Sequence, residues 1–278
     1  MKALRSLALA FVAAAALAQG SAALAQNAAE TSYGRVERTK TLRIGVIAGA
    51  VPYFDKDLVS GQWRGFGIDF GKSLADSMGA KVEYVETTWG NSVLDLQSNK
   101  IDAMFGMAPS PARREAVDFS ETLFVNTYTT VCKKGYPEKT WDQLNTPDTR
   151  ISLDVGSSHD QLATRILPNA TISRLENSGA ATLALQTGRV DCQILVILLA
   201  QPLLAKRPDI GHMSIPTPEY SAPVSIGLRK DTDPAMREAV NKWLAATRDS
   251  GQVKSIILKN MDQLAGVRPD AFPPNVKF

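Results

Sequence analysis

The feature that most constrains this chain is an alternation of strand-like and helix-like runs that occurs twice. Residues 41–47 (TLRIGVI) are rich in β-branched side chains and read as a strand. A loop of small residues, 48–52, leads to Tyr53, Phe54 and a polar turn. Residues 70–78 carry Phe70, Leu74 and Met78 on one helical face, and Gly79 stands where a helix ends. Residues 81–86 read as a second strand, 93–97 as a short helix and 101–105 as a third strand. After a strand over 123–131 the grammar returns as strand 150–155, helix 159–166, strand 171–175, helix 180–187 and strand 189–195. A strand over 224–229 and two amphipathic helices, near 234–247 and 253–261, follow, and Pro269, Pro273 and Pro274 predict an irregular tail. Such an order predicts parallel strands joined by right-handed crossovers, so the expected fold is α/β, two lobes of mixed sheet flanked by helices.

Ligands in open parallel sheets sit beyond the carboxyl ends of the strands. Those ends are here the loop 48–50, the turn at Trp89 and the segment 106–120 (GMAPSPARREAVDFS). In the last of these Ser110 fits a helix N-cap and Pro111 the first helical position. A helix start rich in small residues presents free amides to an anion, and Arg113 offers a planar fork for a carboxylate. A second turn of this kind, Gly156-Ser157-Ser158, opens a helix in the second half. A small acidic ligand enclosed by hinge closure of two lobes is therefore expected. The plainer alternative for the first turn is a surface loop with its arginines solvated or paired with Glu115 and Asp118.

Residues 1–25 have the form of a secretory signal peptide: Lys2 and Arg5, an apolar run over 7–18, and Ala23-Leu24-Ala25 as cleavage pattern. That run is too short to span a bilayer. Periplasmic localisation follows, with residues 26–40 as a loose leader. The formal charge of +3 includes Lys2 and Arg5, and no basic block points to nucleic acid. Cys132 and Cys192 each sit in an apolar, strand-like run, so buried free thiols are favoured over a disulfide. No metal-ligand cluster or cofactor is indicated, and Cys132 has no His or Asp at motif spacing for nucleophilic chemistry. Asp102 and Asp191 stand in matching strand contexts and read as structural, as does Asp118. His159 reads as a solvated residue at a helix start, and His212 is given no role.

The chain resembles the extracellular solute-binding proteins, family 3 (polar amino-acid type), of bacterial ABC importers, which are two-lobed Venus-flytrap proteins. The resemblance runs over about 41–261. It rests on LRIG (42–45), GFGIDF (65–70), LQSNKIDAMFGM (96–107), PARREAVDFS (111–120), TGRVD (187–191) and SIGLRK (225–230) taken together. It implies a first lobe over 41–125, a second over 126–224, a return to the first over 225–278, and a two-strand hinge. It also implies a monomer that hands a small carboxylate-containing solute to a membrane ABC permease. By the family's pattern Arg113 pairs with the ligand α-carboxylate, Ser110 and Ser157 assist it, and Trp89 walls the ligand body. Tyr53, Ala108, Ser158 and Val196 complete the expected lining.

The departures from that pattern are specific. Val196 stands where the family carries an Asp for the ligand ammonium. Ala108 replaces a hydroxyl residue, Ala50 a stacking aromatic and Ile47 a nearby Asp. An ammonium buried against Val196 costs on the order of several kcal/mol. The carboxylate half of the site thus looks intact and the ammonium half erased, which favours a ligand without a primary amine. Two other functions compete. One is a periplasmic enzyme on the same scaffold, similar to cyclohexadienyl or arogenate dehydratases, for which Glu176 is the nearest approach to a general acid. The other is a periplasmic accessory or sensor protein. No catalytic residue is assigned.

Overall fold

The structure is a computed structural model and describes residues 30–271. The signal-peptide segment, residues 26–29 of the leader and the tail with Pro273 and Pro274 lie outside the described residues. Against the expectation of a loose leader through residue 40, Ser32–Thr39 forms helix α1, capped by Thr31, whose side chain accepts from Gly34 N–H. Arg35 on its buried side donates to Asp102 Oδ1 at 3.1 Å and to the Thr41 carbonyl at 2.7 Å. This helix has no broad apolar stripe to betray it in the sequence, because hydrogen bonds and an ion pair tether it.

The first lobe holds β1 (Thr41–Val46), a short hairpin of β2 (Asp55–Lys56) and β3 (Trp63–Arg64), α2 (Phe66–Ser77), β4 (Lys81–Glu86), α3 (Ser92–Gln97), β5 (Ala103–Met107), α4 (Pro111–Ala116) and β6 (Asp118–Phe119). The second holds β7 (Phe124–Cys132), α5 (Trp141–Leu144), β8 (Arg150–Asp154), α6 (Ser158–Ile166), β9 (Thr171–Leu175), α7 (Ser178–Gln186), β10 (Cys192–Val196), α8 (Ile197–Lys206) and β11 (His212–Ser214). The chain returns through β12 (Ser221–Leu228) to α9 (Ala235–Asp249) and α10 (Gln252–Ala265). Strand β1 runs parallel to β4 and β5, and β8 parallel to β9 and β10, as the crossover reading requires.

The strand order β4-β1-β5-β12-β7-β10-β8-β9 makes the halves mirror each other about β12 and β7. Both central strands change partners along their length. Strand β7 pairs with β12 at Val125↔Pro223 and with β10 at Thr129↔Leu195, whereas β12 moves on to β5 at Ile226↔Phe105. These two antiparallel strands carry the chain between lobes and form the two-strand hinge.

The repeat extends to an ion pair on a buried aspartate in each lobe. Arg43 on β1 donates its N–H and guanidinium to Asp102 at 2.7 and 2.8 Å, and Asp102 N–H donates back to the Arg43 carbonyl at 2.8 Å. Arg150 on β8 holds Asp191 with the same set of atoms, its guanidinium at 2.7 Å and the returning N–H at 2.8 Å. Each acid takes a second cation, Arg35 on Asp102 and Lys133 on Asp191. The structural reading of both acids therefore holds.

A further expectation is corrected. Cys132 and Cys192 form a disulfide, because the antiparallel register of β7 and β10 sets them opposite one another across a sequence separation of 60. Helix α8 goes unread in the sequence because Ile197, Leu198, Leu199 and Ala200 are all buried, which removes any periodicity, and Pro202 lies inside it. Among the described residues no helix is long and apolar enough to cross a membrane.

Candidate functional site

The lobes meet around a cavity of about 20 Å³, lined by Tyr53, Trp89, Gly106, Ala108, Arg113, Asn126, Ser157, Ser158, His159, Val196, Leu199 and Val224. That is room for about one water.

From the first lobe, Ser110 caps α4 by accepting from Arg113 N–H at 3.3 Å, and Pro111 opens the helix. The cap turns Arg113 inward, where it is 5% exposed. Its Nη1 donates to the Ala108 carbonyl at 2.8 Å and its Nη2 to the Gly156 carbonyl at 2.7 Å. Among the described residues no carboxylate pairs with it. Burial pushes its pKa down to about 10, so the guanidinium stays charged at neutral pH. Gly106, at φ +87°, lies against Tyr53 and Trp89, where a Cβ would stand 2.9 Å from Tyr53 Cδ1. Tyr53 also packs on Phe66 at 4.3 Å between ring centroids, and its hydroxyl accepts from Asn126 Nδ2. Burial pushes the Tyr53 phenol up, in spite of that hydrogen bond.

From the second lobe, Ser157 caps α6 by accepting from Asp160 N–H at 3.1 Å, and Asp160 Oδ2 accepts from Gly156 N–H at 2.9 Å. Ser157 N–H donates to the Asp154 carbonyl at 3.3 Å, which orients the Gly156–Ser157 peptide. Ser158 hydrogen-bonds Tyr128, whose phenol burial pushes up and this bond partly restores. His159 Nε2 bonds Asp154 Oδ1, and Ser178 Oγ donates to Asp154 Oδ2 at 2.9 Å. Burial alone would raise the Asp154 carboxyl, but the His159 ring and the Ser178 hydroxyl hold it below the usual carboxylate range.

A family model for bacterial extracellular solute-binding proteins, family 3, matches residues 42–263. The chain belongs to this family. The lysine/arginine/ornithine-binding periplasmic protein of Escherichia coli is 25% identical over 246 residues, 85% of this chain and 92% of that protein. The cyclohexadienyl dehydratase of Pseudomonas aeruginosa is 24% identical over 231 residues, 82% of this chain and 85% of the enzyme. Among solved structures, the ancestral amino acid-binding protein AncCDT-1, a precursor of cyclohexadienyl dehydratase, matches with a TM-score of 0.74 at 30% identity, covering 83% of this chain and 99% of that one. Relatives of this family-3 protein thus include binding proteins and an enzyme, and the choice between them falls to the cleft.

In this family-3 protein Arg113, Ala108, Ser157, Ser158, Trp89, Tyr53 and Val196 come together on one cavity. Ser110 does not; it caps α4 and lines an adjoining cavity of about 210 Å³ with Tyr128, Gln161 and Arg165. The solvated-loop alternative fails for Arg113, which is buried, and holds for Arg114, which is exposed and lies over the Phe119 ring at 5.4 Å. Asp118 pairs with Arg237 at 3.6 Å. Glu176 is exposed and outside the cleft lining. His159 corrects the sequence reading: it is 2% exposed, not solvated, because Asp154 at the end of β8 draws the ring inward. Asn126 and Leu199 were not foreseen. Asn126 is the one amide in an apolar strand run, a signal the sequence carried, whereas Leu199 depends on α8.

Proposed function

We propose that this protein is the periplasmic substrate-binding component of an ABC importer, and that its lobes close on a small carboxylate-bearing solute. The observation that carries the reading is the Arg113 guanidinium, buried and charged, whose partners are two neutral carbonyls. A buried cation without an anion is costly, and a ligand carboxylate offsets that cost with a bidentate pair. Ser157 and Ser158 stand beside it, and Tyr53, Trp89, Val196 and Leu199 supply apolar walls. The cavity has room for about one water, so a larger solute enters when the lobes part at β7 and β12. Relatives named for arginine, cystine and lysine/arginine/ornithine are consistent with a carboxylate ligand. Binding is favoured over dehydratase chemistry because, among the described residues, no Asp or Glu lines the cleft and its one imidazole, His159, is already bonded to Asp154.

The test is native mass spectrometry of protein purified from periplasm without dialysis, followed by thermal-shift screening of small acids. A ligand at a hundredfold over its Kd stabilises by about 2.7 kcal/mol. A bound acid that is lost in Arg113→Ala supports the reading. An acid held with unchanged affinity by Arg113→Ala overturns it.

A further inference from the structure

A second cavity, of about 260 Å³, adjoins the cleft and, like it, is built by both lobes. Gly49 and Val51, in the loop after β1, form its wall on the first lobe. From the second lobe α8 contributes Leu199, Pro202, Leu203 and Lys206, an i, i+3, i+4, i+7 stripe on one helical face. Helix α7 contributes Gly179, Thr182 and Gln186, which share a face in the same way. The cavity is thus a groove that follows two helices. Leu199 belongs to its lining and to that of the cleft, so the groove continues the cleft rather than standing apart from it.

Its two ends differ in chemistry. Towards the cleft the walls are apolar, with Val51, Leu195, Leu199 and Leu203. At the far end Lys206 and Arg207, both exposed, bring two positive charges, and no Asp or Glu lines the groove to neutralise them. The hydroxyls of α7 are turned to other partners: Thr182 Oγ1 donates to Gln193 Oε1 at 2.9 Å, and Ser178 Oγ to Asp154 Oδ2 at 2.9 Å. An apolar trough with a few polar groups that fix orientation is the usual form of a small-molecule site. Arg113 in the cleft calls for one anion, and the cations at the far end of the groove match a second. Leu199 and Lys206 lie two turns apart on one helix, about 10 Å. An extended chain advances roughly 1.2 Å per bond, so about eight bonds cover that length.

We propose that this groove takes the far half of the ligand, and that the ligand is an elongated acid with an apolar middle and an anionic group at each end, one on Arg113 and the other at Lys206 and Arg207. The proposal rests on the reading of Arg113 as a carboxylate site and adds to it a length and a second charge. Because Gly49 and Val51 come from the opposite lobe, closure would grip the far half as well as the near one.

The experiment titrates a series of α,ω-dicarboxylic acids calorimetrically, from glutaric acid upwards, each beside its half-amide, in which one carboxylate is replaced by a neutral group of the same shape. The quantity read is the ratio of affinities, diacid over half-amide. In the wild-type protein this ratio is expected to be at least fivefold for chains of about eight bonds or more, and near one for glutaric acid, whose second carboxylate does not reach Lys206. It should shrink as salt is added, because the two cations stand near solvent. In the Lys206→Gln, Arg207→Gln double variant the ratio should fall to near one at every length. Both side chains are exposed, so the variant keeps its fold. A wild-type ratio near one at every length, a ratio unmoved in the double variant, or no binding of any long diacid overturns the proposal. Arg113→Ala separates the two readings. If it abolishes acid binding while the wild-type ratio is near one, only the groove proposal fails. If it leaves the affinity for acids intact, the carboxylate reading fails as well.

Discussion

Arg113 Nη2 donates to the Gly156 carbonyl at 2.7 Å, so the cation of the first lobe is held by the backbone of the second. The contact continues beside it, where Gly156 lies against Gly90. A Cβ on Gly156 would stand 2.6 Å from Gly90 Cα, and Gly156 has φ +73°. The cleft thus closes on a glycine pair next to the guanidinium. A ligand carboxylate has to replace a neutral acceptor already seated on Arg113, exchanging it for a charged one, which makes the stronger hydrogen bond.

Gly156→Ala should keep the lobes from closing fully, because the methyl group meets backbone rather than a side chain that can turn away. Small-angle scattering of the variant is expected to show no contraction on ligand addition, and affinity should fall at least tenfold, about 1.4 kcal/mol. Contraction and affinity equal to wild type would mean that closure does not bring Gly156 onto Gly90.

Arg113→Met should separate stability from binding. Burial lowers the arginine pKa to about 10, so folding works against the charged form. That penalty is in full force below pH 10 and declines as pH rises towards the unfolded value near 12.5. An apolar side chain of similar length removes it at neutral pH, offset in part by the two carbonyls left without their donor. The ligand-free variant is expected to gain about 1 kcal/mol in urea unfolding while binding is lost. A variant less stable than wild type by that amount would show that Arg113 is a structural clasp first.

Much of this arrangement was legible in the sequence, and the parts that were not share a cause. Alternating strand and helix patterns, the Ser110–Pro111 cap and the Gly156–Ser157 turn are local signals, and each names its element within a few residues. The matched acids Asp102 and Asp191 were legible as a repeated context. Helix α1 was not, since Arg35 acquires its meaning only from Asp102, 67 residues away. The Cys132–Cys192 bond depends on the β7–β10 register, and the burial of His159 depends on Asp154 capturing one ring nitrogen.

The disulfide should contribute stability without touching ligand choice. Cys132 and Cys192 pair at the end of the β7–β10 ladder opposite to the Tyr128–Val196 pair, which borders the cleft. Closing a loop across a sequence separation of 60 limits the unfolded chain, with a chain-entropy ceiling of about 4 kcal/mol. The Cys132→Ser, Cys192→Ser double variant is expected to melt well below the oxidised protein and to match the reduced one. Its affinities should stay within about threefold of wild type, roughly 0.6 kcal/mol. A changed order of ligand preference would show that the ladder transmits strain to Val196.

The Asp191 clamp gives a prediction with a defined pH window. The hydrogen bond from Arg150, with Lys133 beside it, holds the Asp191 carboxyl far below the usual carboxylate range despite the opposing effect of burial. A carboxyl whose pKa is lower folded than unfolded stabilises the fold above its unfolded value, near 3.9, and loses that contribution as pH falls towards the folded value. Asp191→Asn should therefore cost about 2 kcal/mol at pH 7, measured by urea unfolding. Arg150 and Lys133 are about two-fifths exposed, so solvent and salt screening keep the loss near that figure rather than at the full Coulomb energy of a buried triad. Below about pH 4 the wild-type carboxylate begins to protonate in the unfolded chain, and the gap between the two proteins should narrow steadily with further acidification. A gap that holds constant from pH 7 to pH 3 would mean that Asp191 acts by shape and neutral hydrogen bonding, with its charge contributing nothing to the fold.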